Sequence, residues 1–133
     1  MARMGRYLLK THVEFAAAHQ LRGYDGDCAR LHGHNYRVEV EVLASRLDKL
    51  GLGLDFRKIR GETEKVAAEL DHRFLNEIEP FDRINPTAEN IASYFYERLR
   101  LTLCGPSVAL RAVTIHETGR YSVRYTEEEG KAE

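Results

Sequence analysis

Two stretches of this sequence alternate apolar and polar residues with a period of two, and that alternation constrains the fold more than any other feature. From Tyr7 the odd positions read Tyr7, Leu9, Thr11, Val13, Phe15 and Ala17, against Leu8, Lys10, His12 and Glu14 on the other side. Successive side chains of an extended chain point to opposite faces, so the pattern predicts a strand. Tyr36, Val38, Val40 and Val42 alternate in the same way with Arg37, Glu39 and Glu41. One face is apolar and the other charged, as in an antiparallel sheet that is wet on one side.

The period then changes. Phe56, Ile59, Val66, Ala67 and Leu70 sit at helical intervals, with Asp55 placed to cap the start. A second helix is predicted by Ala88, Ile91, Ala92, Phe95 and Leu99, with Thr87 as its N-cap and Gly105 and Pro106 as its stop. Alternation returns at Ala109, Val113 and Ile115, and again at Tyr121, Val123 and Tyr125, with Gly119 and Arg120 supplying the turn. The order is ββααββ. Strands flanking a run of helices point to an α+β fold, an antiparallel sheet with two helices on one face. At 133 residues the whole chain, 1–133, fits one domain, with 127–133 as a loose acidic tail.

The formal charge of −1 gives no basic surplus to neutralise phosphates, which argues against nucleic acid as the partner. Charged residues interrupt the apolar ones near the N-terminus (Arg3, Arg6, Lys10), so neither a signal-peptide core nor a membrane span is expected. A cytoplasmic protein with Cys28 and Cys104 as free thiols follows from that reading.

His32 and His34 share the parity of Tyr36 and Val38, so a strand beginning that early projects both imidazoles from one face. His19 is in phase with Phe15 and Ala17, and pairing the two strands brings it towards them. Three neutral imidazoles suit Zn2+ and leave a fourth position open, the arrangement of a catalytic rather than a structural site. On spacing alone, ordinary surface or core histidines are an equal reading. Cys28, four residues before His32, is open to three readings: a further ligand, a thiolate base favoured by a nearby dication, or an inert thiol. Asp71 and His72 form either a proton-transfer pair or a helix-end cap. Glu117 fits a guanidine-like edge through two parallel hydrogen bonds, or is an exposed hairpin charge.

Taken together, several ordered segments carry a family resemblance: Phe15 to His19, Cys28-Ala29-Arg30-Leu31-His32-Gly33-His34-Asn35-Tyr36, Leu70-Asp71-His72, Asn85-Pro86-Thr87-Ala88-Glu89-Asn90, and Glu117-Thr118. The chain resembles the 6-pyruvoyl-tetrahydropterin synthase and 6-carboxy-tetrahydropterin synthase family over nearly its whole length. The resemblance implies His19, His32 and His34 as zinc ligands, Cys28 as general base, Asp71 and His72 as the rest of a proton relay, and Glu117 as the pterin anchor. Thr87 matches a family position near the pterin. It implies too the tunnelling fold, with each subunit giving two hairpins to an oligomeric barrel, commonly a homohexamer of two stacked trimers. The short spacing from Cys28 to His32 is similar to the 6-carboxy-tetrahydropterin synthases of the queuosine pathway. The expected reaction converts 7,8-dihydroneopterin triphosphate to the 6-carboxy product with loss of acetaldehyde and triphosphate. The 6-pyruvoyl reaction on the same substrate is the alternative, and a non-catalytic zinc or pterin-binding module is a third reading.

Overall fold

The computed structural model describes residues 5–128. Strands β1 (Tyr7–His19) and β2 (His32–Ala44) form its spine, an antiparallel pair in unbroken register from Tyr7 opposite Ala44 to His19 opposite His32. That register puts Val13, Phe15 and Ala17 on the same face as Tyr36, Val38, Val40 and Val42, all of them buried. A one-residue slip would expose the whole set, so the hydrophobic pattern itself selects this pairing.

Helices α1 (Phe56–Leu70) and α2 (Ala88–Leu99) both pack on that face, α1 against β1 and α2 against β4 (Val108–His116) and β5 (Ser122–Tyr125). Asp55 caps α1 by accepting from Arg57 N at 2.8 Å, and Thr87 caps α2 by accepting from Asn90 N at 3.1 Å. Ile59, Val66, Ala67 and Leu70 of one helix and Ile91, Ala92, Phe95 and Leu99 of the other join the strand residues in a single core. Phe56, expected on the apolar face, is exposed at the first turn. Among the described residues no helix is long and apolar enough to cross a membrane.

The sheet has five strands in the order β3-β1-β2-β4-β5. The extra strand, β3 (Arg73–Phe74), lies parallel to β1 at Ala17 and Ala18, so the order is ββαβαββ and the sheet is mostly, not wholly, antiparallel. Two residues are too few to show a period, which is why alternation does not reveal them. A second departure lies in β4. Glu41 faces Ala112 while Val42 faces Leu110, leaving Arg111 as an extra residue in a β-bulge. The bulge inverts parity, so Leu110 rather than Ala109 joins Val113 and Ile115 in the core, and Ala109 is exposed. The turn expected at Gly119 and Arg120 is part of a longer link, since β5 begins at Ser122 and Tyr121 stays exposed. Glu127 and Glu128 are exposed; the rest of the expected tail lies outside the described residues.

Candidate metal centre and its cavities

The paired ends of β1 and β2 set His19 directly opposite His32, and Ala17 opposite His34, so three imidazoles meet at one end of the sheet. The Nε2 atoms of His19 and His32 lie 2.9 Å apart. Glu117, one residue beyond the end of β4, brings Oε1 to 2.9 Å from His34 Nε2 and 3.5 Å from His19 Nε2. One donor atom from each of the four residues falls within 4.8 Å of the others.

Proton positions sharpen this picture. His19 Nδ1 is 2.7 Å from the Pro86 carbonyl, and His32 Nδ1 is 2.7 Å from the Arg30 carbonyl. A carbonyl only accepts, so both Nδ1 atoms carry hydrogen, and in the neutral rings both Nε2 atoms present lone pairs. Two lone pairs facing each other at 2.9 Å repel unless a cation sits between them. His34 adds to the case. Its Nε2 is buried and, although close to Glu117, is not aligned for a hydrogen bond. Burial holds its pKa below the ordinary imidazole value, which favours the neutral form a metal requires. Glu117 is shifted down as well, first through His19 and then through the other imidazoles, so it stays a carboxylate. Imidazoles whose second nitrogen donates to a backbone carbonyl are the usual form of metal-binding histidines. The donor set therefore fits a divalent cation.

The surroundings of His19 explain its fixed position. It is only 1% exposed, with the Tyr36 hydroxyl 3.1 Å from Nδ1. Tyr36 in turn stacks on Phe15 with ring centres 4.9 Å apart. Two asparagines staple the chain that leaves His19. Asn76 exchanges hydrogen bonds with the Gln20 backbone at 2.9 and 2.7 Å, and Asn85 does the same with Arg22 at 2.8 and 2.8 Å. Arg22 also donates to the Phe81 carbonyl at 2.8 Å. The Asn85-Pro86-Thr87 segment thus supplies a staple, a carbonyl for His19 and a helix cap in successive residues.

Two cavities flank the centre. One, of about 300 Å³, is lined by Asp27, Cys28, His32, His34, Glu117, Thr118 and Tyr121. Cys28 sits there as an unpaired, half-buried thiol on a 3₁₀ turn (Asp27–Ala29), with its carbonyl accepting from Leu21 N at 3.1 Å. The second, of about 500 Å³, has a floor of small residues (Ala16, Ala17, Ala18, Gly33) and is bordered by His34, Asn35, His72, Arg73 and Phe74.

Asp71 and His72 belong to the second cavity's side of the sheet. Asp71 accepts from Ala16 N at 2.9 Å, the first cause of its lowered pKa, and lies 3.0 Å from His72 Nδ1. His72 has a left-handed backbone, φ 59°, and a largely exposed ring. Such a conformation is uncommon for a non-glycine residue and is held here by its N–H donating to the Ala16 carbonyl. Cys28 lines one cavity and His72 the other, so the chain alone does not assemble the three as a relay. Thr87 lines neither; its hydroxyl is engaged as the α2 cap.

Sequence reasoning brought the three histidines together but did not place Glu117 against them. The signal was present, since Glu117 continues the parity of Val113 and Ile115 on the buried face. The roles of Tyr36, Asn76 and Asn85 were also missed, because a backbone staple leaves no periodic trace.

An α+β sheet carries two helices on one face and, at one end, three imidazoles and a carboxylate placed so that they could hold a metal ion. The family model described as 6-pyruvoyl tetrahydropterin synthase matches residues 8–128, and the chain belongs to that family. It is 32% identical over 124 residues to a 6-carboxy-5,6,7,8-tetrahydropterin synthase from Synechocystis sp., covering 90% of this chain and 92% of the relative. It is 38% identical over 111 residues to a dihydroneopterin monophosphate aldolase from Pyrococcus furiosus, covering 84% and 90% respectively. The solved structure of Caenorhabditis elegans 6-pyruvoyl tetrahydropterin synthase superposes with a TM-score of 0.81 at 31% identity, covering 96% of this chain and all of that one (100%).

Proposed function

We propose that this protein is a zinc-dependent 6-carboxy-tetrahydropterin synthase acting on 7,8-dihydroneopterin triphosphate, with release of acetaldehyde and triphosphate. The observation that carries the reading is the convergence of imidazole lone pairs, with two Nδ1 atoms committed to carbonyls, beside a cavity that holds a free thiol. Similarity to the Synechocystis relative supports the product.

In this reading His19, His32 and His34 hold the zinc, which when bound supplies Lewis acidity towards the hydroxyls of the substrate side chain. Glu117 orients the ring by accepting from its amino group and adjacent N–H. Cys28 removes a proton from the side chain, and Asp71 with His72 relays protons to and from it. Because Cys28 and His72 line different cavities, the relay is completed by a second copy of the chain, whose Asp71 and His72 enter the Cys28 cavity. Oligomerisation follows from the sheet as well. β3 covers β1 only at Ala17 and Ala18, and β5 ends the sheet, so both edges offer unpaired backbone to other copies. Closure of such edges between copies gives a barrel, and a hexamer of two stacked trimers. Cys28 as a reduced thiol suits the cytoplasm.

The Pyrococcus relative favours a second reading, aldol cleavage of a dihydroneopterin monophosphate at the same centre. Incubating zinc-loaded protein with the triphosphate and, separately, the monophosphate distinguishes the readings by mass spectrometry and aldehyde trapping. Acetaldehyde and the 6-carboxy product from the triphosphate are expected. A product that keeps its three-carbon side chain would make this a 6-pyruvoyl enzyme, and turnover of the monophosphate alone would make it an aldolase. Consumption of neither would leave a binding module.

A further inference from the structure

We propose that Arg73 of one copy pairs with Asp27 of a second copy, a contact between chains that sets His72 against Cys28. The inference rests on the reading of the Cys28 and His72 relay as one completed by two copies. Its starting point is the opposite charge of the two cavities that such a relay joins. Asp27 and Glu117 line the Cys28 cavity, and among the described residues no lysine or arginine does. Arg73 lines the other cavity beside His72, and no aspartate or glutamate of the described residues joins it there. Docking one cavity on the other brings unlike charges together, and complementary charge of this kind selects one orientation of two surfaces over others.

Within one chain neither charge is answered by a described residue. Arg57, Arg83, Arg98 and Arg124 each hold a carboxylate of their own chain, whereas Arg73 is exposed and holds none among the described residues. Glu117 is occupied by His34 and His19, at 2.9 and 3.5 Å, which leaves Asp27 as the free carboxylate of its cavity among the described residues. Both backbones are fixed. The Asp27–Ala29 turn is closed by Ala29 N donating to the Gly26 carbonyl at 3.1 Å and Arg30 N to the Asp27 carbonyl at 3.0 Å. Arg73 pairs with Ala17 in the sheet, directly after His72, whose N–H donates to the Ala16 carbonyl at 2.6 Å. Consecutive Cα atoms lie about 3.8 Å apart. A second copy that seats His72 at Cys28 thus carries Arg73 to the neighbourhood of Asp27, inside the reach of a long guanidinium side chain. The pair touches no reacting atom; it is a positioning contact that acts through His72. Asp25 stands in the same loop without lining the cavity, which makes it the control.

The test reverses the charges in the full-length chain. Asp27→Arg alone and Arg73→Asp alone are each expected to weaken association of the copies, read by mass photometry, and to lower turnover of dihydroneopterin triphosphate about tenfold. Refolding the two single variants together should restore both readouts in part, because each variant then meets the opposite charge on its neighbour. A pair within one chain would gain nothing from mixing. Asp25→Arg in place of Asp27→Arg should give no recovery. The neutral variants Asp27→Asn and Arg73→Gln guard against a reversal that fails to fold, and their combination should lose no more than either alone. Raising salt from about 0.1 to 1 M should weaken association of the wild type more than that of the neutral double variant. Additive losses in the neutral variants, no recovery on mixing the reversed ones, or equal recovery with Asp25→Arg overturns the pair. If Cys28→Ala and His72→Ala chains nonetheless recover activity when mixed, the two-copy relay stands without the pair; failure of both mixtures strikes at the relay itself.

Discussion

Removing His19 and removing His34 should have unequal consequences for the metal-free fold, although each removes one imidazole from the same cluster. His19 is 1% exposed, its Nδ1 donates to the Pro86 carbonyl at 2.7 Å, and its ring lies edge-on to Tyr36 at 5.9 Å between centres. Truncating a large, fully buried side chain costs about 2 to 5 kcal/mol. Loss of the partner of a buried carbonyl belongs to the same scale, about 1 to 3 kcal/mol. For His19→Ala we therefore expect about 3 kcal/mol of destabilisation in the metal-free protein. His34 is less buried, and its Nε2 is an unsatisfied polar atom, so deleting it removes a cost along with a contact. His34→Ala should lie within about 1 kcal/mol of wild type. Denaturant unfolding in chelator, at one fixed protein concentration, measures both values. Adding zinc at about a hundred times its dissociation constant should stabilise wild type by about 2.7 kcal/mol and both variants far less. Equal destabilisation of the two metal-free variants would refute the assignment of His19 as a structural anchor and His34 as a residue the fold depends on little. A full zinc-linked gain in either variant would remove that residue from the ligand set.

Cys28→Ala should retain zinc and pterin binding while turnover falls by about 100-fold, the scale of a lost acid-base group; near-normal turnover would end the general-base role. Mixing unfolded Cys28→Ala and His72→Ala chains and refolding them together should restore activity at about a quarter of the sites, by random assortment of copies around a shared site. No recovery, with hetero-oligomers verified by mass spectrometry, would contradict a relay built from two copies. Asn85→Ala, which loses two hydrogen bonds to Arg22 at 2.8 Å each, should cost about 1 to 2 kcal/mol and weaken zinc binding through His19; unchanged zinc affinity would detach this staple from the metal centre.

The strands and helices were legible because each had enough residues to display its period. β1 and β2 run to 13 residues each, and their shared face is apolar from end to end. What was not legible came from interactions without a period. Arg111 inverts the parity of β4 because a bulge opposite Glu41 admits one extra residue, so an alternation counted back from Val113 points Ala109 to the core while the structure buries Leu110 instead. Glu41 itself reads as a solvent-facing charge in the alternation, yet it is buried on the sheet's open face. It is held there by Arg124 at 2.8 and 3.1 Å, and that pairing is the leading cause of its lowered pKa. Such a pair depends on β5 lying next to β4, which no local pattern encodes.

The candidate metal centre was legible only in part, and the physical reason lies in how it is built. His32 and His34 share a strand, so two-residue spacing alone places them on one face. His19 joins them because β1 and β2 pair in the single register their apolar residues allow, which makes the core pattern a determinant of site geometry. A shift of one residue in that register would turn His19 to the charged face while leaving His32 and His34 unmoved. The elements that fix His19 at its end of the strand, the Pro86 carbonyl and the Asn76 and Asn85 staples, come from residues more than 50 positions away, as the separations of 67, 56 and 63 show. Residues that need no side-chain period to act, two asparagines and a proline carbonyl, thus help to hold His19 in the candidate metal centre.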